Sequence, residues 1–126
     1  MKILFIALFG FLFFQPVDAQ KKVESLPTGI YETYFYGFDY NLNKWLRGDI
    51  ILLKGNNYRL SEENTIGEYQ FDAQKQRVYF LSGPLKNIFA TTTISSKLPA
   101  IVLPKKENKA KKIELAVSDI WAYYKK

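Results

Sequence analysis

The chain has 126 residues, of which 48% are apolar, 17% aromatic and 24% charged, and its net charge is +6. Disordered chains are poor in aromatic residues, so this length and composition predict one globular domain. The chain contains no Cys and no His, which excludes disulfides, a Cys nucleophile and the Ser-His-Asp triad and removes the commonest metal ligand.

The N-terminus has the pattern of a secretory signal peptide. Lys2 precedes an unbroken run of twelve apolar or glycine residues, Ile3–Phe14, and Val17–Ala19 places small or short residues at a cleavage position. A helix of that length reaches only about 18 Å, and a bilayer core is ~30 Å thick. We therefore predict a signal peptide over 1–19, cleavage after Ala19, and a secreted or periplasmic protein without a transmembrane span. Export without cysteine favours a bacterial source.

A polar segment over 20–28, which we expect to be flexible, precedes a long series of strand patterns. Apolar residues then recur at period two or run continuously between turn residues, and no stretch has the sustained 3.6-residue period of a helix. The segments with this pattern are Gly29–Tyr36, Trp45–Leu53, Tyr58–Leu60, Ile66–Asp72, Arg77–Ser82, Phe89–Ile94, Pro99–Pro104 and Lys112–Ser118, followed by an aromatic cluster at Ile120–Tyr124.

Turn residues separate these segments. Lys54–Asn57 has the Gly and Asn residues of a tight hairpin, Ala73–Gln76 reverses the chain, and Gly83 with Pro84 ends a strand. Lys105–Lys111 is predicted to be a charged connection. Because proline cannot donate a backbone hydrogen bond, we expect the strand at Pro99–Pro104 to be an edge or closing strand.

Short connections between about eight strands predict an antiparallel meander, in which neighbours in sequence pair with each other. Eight such strands close into a barrel just wide enough to be filled by side chains or to hold one small ligand. We therefore predict an all-β, up-and-down antiparallel barrel as one domain over 29–126. The alternative is an open two-layer β-sandwich.

The order of several short motifs resembles the lipocalin-like, or calycin-type, β-barrels, and in particular small secreted bacterial domains of that plan. The motifs are Gly29–Tyr31, Leu53–Tyr58, Gly67–Asp72 and Val78–Leu85, and the resemblance covers roughly 29–103. It implies a barrel whose interior binds a small apolar or amphipathic molecule. The chain departs from the lipocalin signature at Tyr31, where that signature has Trp, and no helix pattern follows the last strand.

Aromatic residues are the clearest excess in the sequence, and four of them are candidate ligand contacts. Tyr69, Phe71 and Phe80 fall on faces that would point into a closed barrel, and Tyr31 lies in the first strand. Ordinary core packing is the alternative for each of the four, and the sequence favours it over a ligand contact. Trp45 and Trp121 are predicted to be packing residues.

Lysines are the second excess. Five of them crowd one connection, at Lys105, Lys106, Lys109, Lys111 and Lys112. Several lysines acting together can attach a protein to an anionic surface, such as lipid headgroups or a cell-wall polymer. The alternative is a solvated segment that keeps the protein soluble. Nucleic acid is disfavoured as a partner because Arg47, Arg59 and Arg77 are scattered along the sequence.

No motif indicates catalysis. Carboxylates are the only remaining acid–base groups, and most fall in turns or on outward faces. Gly-x-Ser-x-Gly, phosphate-binding glycine loops and calcium-loop spacings are absent from the sequence. We therefore expect a protein that is not an enzyme and uses no metal or cofactor.

Two functions remain open. The first is an exported binding module with a small apolar ligand contacted by the four aromatic residues. The second is an envelope-associated interaction protein, in which a filled barrel acts through its aromatic and lysine-rich surfaces. An apolar pocket of roughly 300 Å³ or more would favour the first function.

Overall fold

A computed structural model describes residues 22–33, 48–113, 115 and 118–126. The predicted signal peptide, the turn at 37–44, Trp45 and Arg47 lie outside the described residues. The same holds for parts of the first two predicted strands.

Eight strands and one short helix make up the regular structure of the described residues. The strands are β1 (Gly29–Thr33), β2 (Ile50–Leu53), β3 (Asn57–Leu60), β4 (Gly67–Asp72), β5 (Arg77–Phe80), β6 (Phe89–Ser95), β7 (Leu98–Leu103) and β8 (Ile120–Tyr124), and the helix is α1 (Lys105–Ala110). Each strand pairs antiparallel with the next, and β8 pairs with β1 to close the barrel. The prediction of an all-β, up-and-down antiparallel barrel is confirmed, and the sandwich alternative is wrong.

The final strand is Ile120–Tyr124, and the alternating segment Lys112–Ser118 contains no strand among its described residues. Lys112 instead has a positive φ of 64°, and the N–H of Ile113 donates to the carbonyl of Asn108. These contacts end the helical segment with a turn. The alternating pattern arises because Ile113 and Leu115 are buried against the core, although neither belongs to a strand.

The strand β7 is internal, so the expectation that it forms an edge or closing strand is wrong. It pairs with β6 on one side and with β8 on the other. Pro99 is tolerated because the pairing with β8 begins only at Ala100, one residue further along the chain. A two-residue turn at Ser96 and Lys97, both with positive φ, connects β6 to β7, which is typical of tight hairpins.

The interior of the barrel is packed with side chains. Inward residues alternate with outward ones along most strands, as the pleat requires. Tyr31 and Tyr58 are fully buried. The ring of Tyr58 lies 4.8 Å from that of Phe80, and the ring of Tyr31 lies 5.2 Å from that of Tyr124. Several bulky aromatic rings therefore share the narrow interior with aliphatic side chains.

Segments outside the strands lie against both ends of the barrel. Residues 22–28 lie at the end where β1 begins and β4 turns into β5, with Val23 buried and Leu26 packed against the core. At the opposite end, α1 and the connection between β5 and β6 contribute the buried residues Leu85, Ile88 and Asn108. The two ends therefore present different surfaces to solvent.

Candidate functional site

A cleft of about 660 Å³ opens between the N-terminal segment and the adjacent barrel end. We call it the mouth cleft. Residues 24–26 form one wall, residues 69–73 of β4 and its turn form the other, and Asn56 and Tyr79 complete it. The cleft exists because the N-terminal segment is held close to the barrel end and leaves part of β4 uncovered.

The lining of the mouth cleft combines aromatic rings with carboxylates. Tyr69, Phe71 and Tyr79 supply the rings, and Glu24 and Asp72 supply two negative charges. No Lys or Arg of the described ranges lines it. Aromatic walls with a few polar groups are typical of small-molecule sites. In a protein with a net charge of +6, this cleft is a local region of negative charge.

The side chain of Gln76 holds the N-terminal wall in position. Its Oε1 accepts the N–H of Val23 at 3.0 Å, and its Nε2 donates to the carbonyl of Val23 at 2.8 Å. The same amide donates to the carbonyl of Ala73 at 2.7 Å and accepts the hydroxyl of Thr92 at 3.0 Å. All four hydrogen-bonding positions of the amide are therefore used.

The four predicted ligand residues divide into two groups. Tyr69 and Phe71 line the mouth cleft. Tyr31 and Phe80 lie in the core, and the hydroxyl of Tyr31 donates to the carbonyl of Pro27 at 2.7 Å. The cleft also contains residues that the sequence did not indicate, above all Glu24, because the segment 20–28 carries no periodic pattern.

Three buried tyrosines are held in their neutral form. Burial, with nearby Tyr124 and Tyr69 adding to it, raises the pKa of Tyr31 well above its ordinary value of 10.0. Burial raises the pKa of Tyr58 to about 12, although the hydrogen bond from the Leu85 N–H acts in the opposite direction. Burial also raises the pKa of Tyr69.

These shifts predict that alkaline pH destabilises the barrel. Between about pH 10 and pH 12 the unfolded chain loses tyrosine protons that the folded protein keeps, so the free energy of unfolding falls as pH rises, by up to about 1.4 kcal/mol per pH unit per tyrosine. Below pH 10 this contribution is complete. Urea unfolding at several pH values measures how steeply the free energy of unfolding falls with pH. Tyr58→Phe should make this fall less steep. A free energy of unfolding that stays constant from pH 9 to pH 11 would contradict this account.

The predicted lysine cluster surrounds α1. Lys105 makes two hydrogen bonds within the protein: its Nζ donates to the carbonyl of Leu115 at 3.1 Å, and its backbone N–H donates to the Asp119 carboxylate at 2.7 Å. The other members of the cluster are exposed, and they are Lys106, Lys109, Lys111 and Lys112.

Trp121 lies on the outer wall, where its ring stacks on that of Tyr123 with the centroids 5.8 Å apart. It remains 37% exposed, so its packing partner is a neighbouring surface ring and not the interior.

Among the described residues, no group of three His, Cys, Asp or Glu side chains could hold a metal ion. No helix in this part of the chain is long and apolar enough to cross a membrane. Comparisons with family models, with curated proteins and with solved structures found no match. The resemblance to lipocalin-like barrels therefore stays a prediction beyond the shared barrel architecture.

Proposed function

We propose that the protein is an exported, non-enzymatic binding module of lipocalin-like plan, which takes one small amphipathic molecule in the mouth cleft. The observation that carries this proposal is a cleft of about 660 Å³ walled by Tyr69, Phe71 and Tyr79. Small-molecule sites commonly enclose about 300–1,000 Å³ and combine apolar walls with a few polar groups. The mouth cleft has both properties.

The filled interior supports a ligand at the barrel end and not at its centre. Tyr31, Tyr58 and Phe80 belong to the buried core, so a molecule inside the barrel would have to displace them. The mouth cleft needs no such displacement, because it is already open.

The charge of the lining favours a neutral or cationic ligand. Glu24 and Asp72 are its only charged residues in the described chain. An anion placed there would meet two carboxylates and no cation among the lining residues, which is unfavourable. An apolar body with a neutral or basic polar group matches the lining best.

Binding of the neutral apolar dye N-phenylnaphthylamine tests the proposal. Phe71→Arg should weaken dye binding at least about tenfold, which corresponds to ~1.4 kcal/mol, because the charged side chain occupies the apolar wall. Ser25→Trp should do the same by filling the cleft from its exposed side, without changing the core. Fluorescence titration measures both effects, and circular dichroism verifies that each variant is folded.

Ile66→Arg is the matched control, since Ile66 is exposed and precedes β4 at the opposite end of the barrel. Its dye affinity should equal that of the wild type. Equal binding by wild type, Phe71→Arg and Ser25→Trp would reject the mouth cleft as the site. Failure of the wild type to bind any neutral or cationic apolar probe would reject the binding function.

The second function, an envelope-associated interaction protein, is favoured by the filled core and by the outer surface. Trp121 and Tyr123 form a stacked pair on the outer wall, and exposed lysines surround α1. Absence of apolar probe binding, together with retention on anionic envelope material that falls steeply with salt, would select this function over the first.

A further inference from the structure

A second candidate site lies on the outer wall, near the barrel end opposite the mouth cleft. Two cavities of about 180 and 490 Å³ adjoin there and share Asn87 and Lys111. Arg77 lines the smaller cavity, and Lys86 with Ile113 lines the larger. We call the combined feature the basic groove.

The arginine of this groove is fixed between two aromatic rings. Its guanidinium carbon lies 3.9 Å from the ring centroid of Phe89 and 4.8 Å from that of Tyr79. Tyr79 and Phe89 are directly opposite each other in the pairing of β5 with β6. Such cation–π contacts position a guanidinium without neutralising its charge.

No carboxylate of the described ranges neutralises this arginine. The Nε of Arg77 is buried without a hydrogen-bond partner among the described residues. The one ion pair between described residues joins Lys125 to Glu32, where β8 pairs with β1. A buried donor of a charged group without a partner is costly. The site therefore holds a positioned cation that forms no ion pair with a described residue, although Asp72 is its cross-strand neighbour in the pairing of β4 with β5.

The other polar groups of the groove add to this positive character. Lys86 and Lys111 are exposed and supply two further cations, and no Asp or Glu of the described chain lines either cavity. Asn87 is exposed and lines both cavities, where its side-chain amide offers additional donors. Three cations and one amide therefore border one groove.

Apolar side chains complete the lining. Leu81, which is 45% exposed, and Ile88 line the smaller cavity, and Ile113 lines the larger. A groove with cations beside aliphatic side chains suits a ligand that has an anionic group attached to an apolar body.

We propose that the basic groove binds the phosphate group of an amphipathic phosphate ester. A phosphate carries up to two negative charges and several acceptor oxygens, which match a planar guanidinium and two mobile ammonium groups better than a single carboxylate does. The attached apolar part lies against Leu81, Ile88 and Ile113. This site shares Tyr79 with the mouth cleft, but its charged groups do not line that cleft, and the proposal does not depend on the function proposed for the cleft.

Calorimetric titration with hexyl phosphate tests the proposal with the full chain. Lys86→Gln combined with Lys111→Gln should weaken binding at least about tenfold, because two charge-assisted contacts are lost. Both lysines are exposed, so the double variant should fold normally. Raising the salt concentration should weaken wild-type binding as well.

Lys106→Gln combined with Lys109→Gln is the matched control, because it removes the same charge from two exposed lysines of α1 that do not line the groove. Its affinity should stay within about twofold of the wild type, because only distant, screened charges change. If both double variants lost the same affinity for hexyl phosphate, the phosphate would be attracted diffusely to the lysine-rich surface. That result would overturn the proposal that the basic groove binds it. Absence of wild-type binding to every phosphate probe would overturn it too.

Parallel titrations distinguish the source of the phosphate group. Hexyl phosphate and vesicles of phosphatidylcholine containing phosphatidic acid present the same anionic group in soluble and membrane form. Binding to vesicles alone, with the same loss in the Lys86 and Lys111 double variant, would identify a lipid headgroup. Binding to hexyl phosphate with the same loss would identify a soluble ester.

Discussion

Replacing Asn108 with alanine should lower the free energy of unfolding by about 3 kcal/mol or more, because each buried polar group left without a partner costs ~1–3 kcal/mol. Asn108 is completely buried. Its Oδ1 accepts the N–H of Phe89 at 2.7 Å, and its Nδ2 donates to the carbonyls of Phe89 at 3.0 Å and Pro104 at 2.8 Å. Alanine removes all three bonds and leaves a cavity.

Urea unfolding of the purified variants measures this loss. Asn108→Asp should be no better than alanine, because it keeps the acceptor for Phe89 but loses both donors and buries a charge. Asn64→Ala is the control, since Asn64 is exposed in the connection before β4, and its effect should stay within about 0.5 kcal/mol. An Asn108→Ala variant as stable as the control would show that these hydrogen bonds do not form in solution.

The same substitution should also disturb the basic groove. Asn108 joins α1 to the first residue of β6, and its carbonyl accepts the N–H groups of Lys111 and Ile113. Both of these residues line the groove. Loosening of this connection should therefore weaken phosphate binding as well as stability, whereas dye binding at the opposite end should remain.

Gly67→Ala should destabilise the barrel by about 3 kcal/mol or prevent folding, which is at the upper end of the effects of overpacking. A Cβ at Gly67 would lie 2.5 Å from Cε1 of Tyr58 and 2.9 Å from Cα of Gly83, and closer still to the carbonyl oxygen of Ser82. None of these atoms can move alone. The hydroxyl of Tyr58 donates to Ser82 at 2.7 Å and accepts the N–H of Leu85 at 2.8 Å, so that ring is fixed.

Yield of soluble protein and the thermal unfolding temperature measure this effect. Gly55→Ala is the control, because a Cβ at Gly55 meets only Nδ2 of Asn57, at 3.4 Å. Gly55 has a φ of 74°, so the control should lose only about 1 kcal/mol from backbone strain. If Gly67→Ala unfolded at the same temperature as Gly55→Ala, the close approach of the β4 and β5 ends would be refuted.

The strands were predicted correctly from the sequence where the alternation of apolar and polar residues matches the alternation of buried and exposed side chains in the structure. Gly67–Asp72 alternates between buried and exposed residues at its start, and Gly55 and Asn56 adopt the positive φ that the hairpin requires. The prediction failed at Lys112–Ser118, where the alternation comes from two side chains packed after a helix. Periodicity alone does not distinguish these cases, since both bury every second residue.

The candidate sites could be predicted only in part. Tyr69 and Phe71 were expected to point inward, and they line the mouth cleft. Glu24 was not expected there, because its position depends on the hydrogen bonds between Val23 and Gln76. Likewise, Arg77 is an isolated arginine in the sequence, and only the fold brings it to the same groove as Lys111.

Period-two patterns and turn residues reflect interactions between near neighbours in the chain, so most strands and their consecutive antiparallel pairing could be predicted without the structure. The pairing of β8 with β1 decided between the predicted barrel and the open sandwich, and the positions of the two clefts became known only from the fold. Those features depend on contacts between residues far apart in sequence. Such contacts form when the whole chain buries its apolar surface together, and no local pattern specifies them.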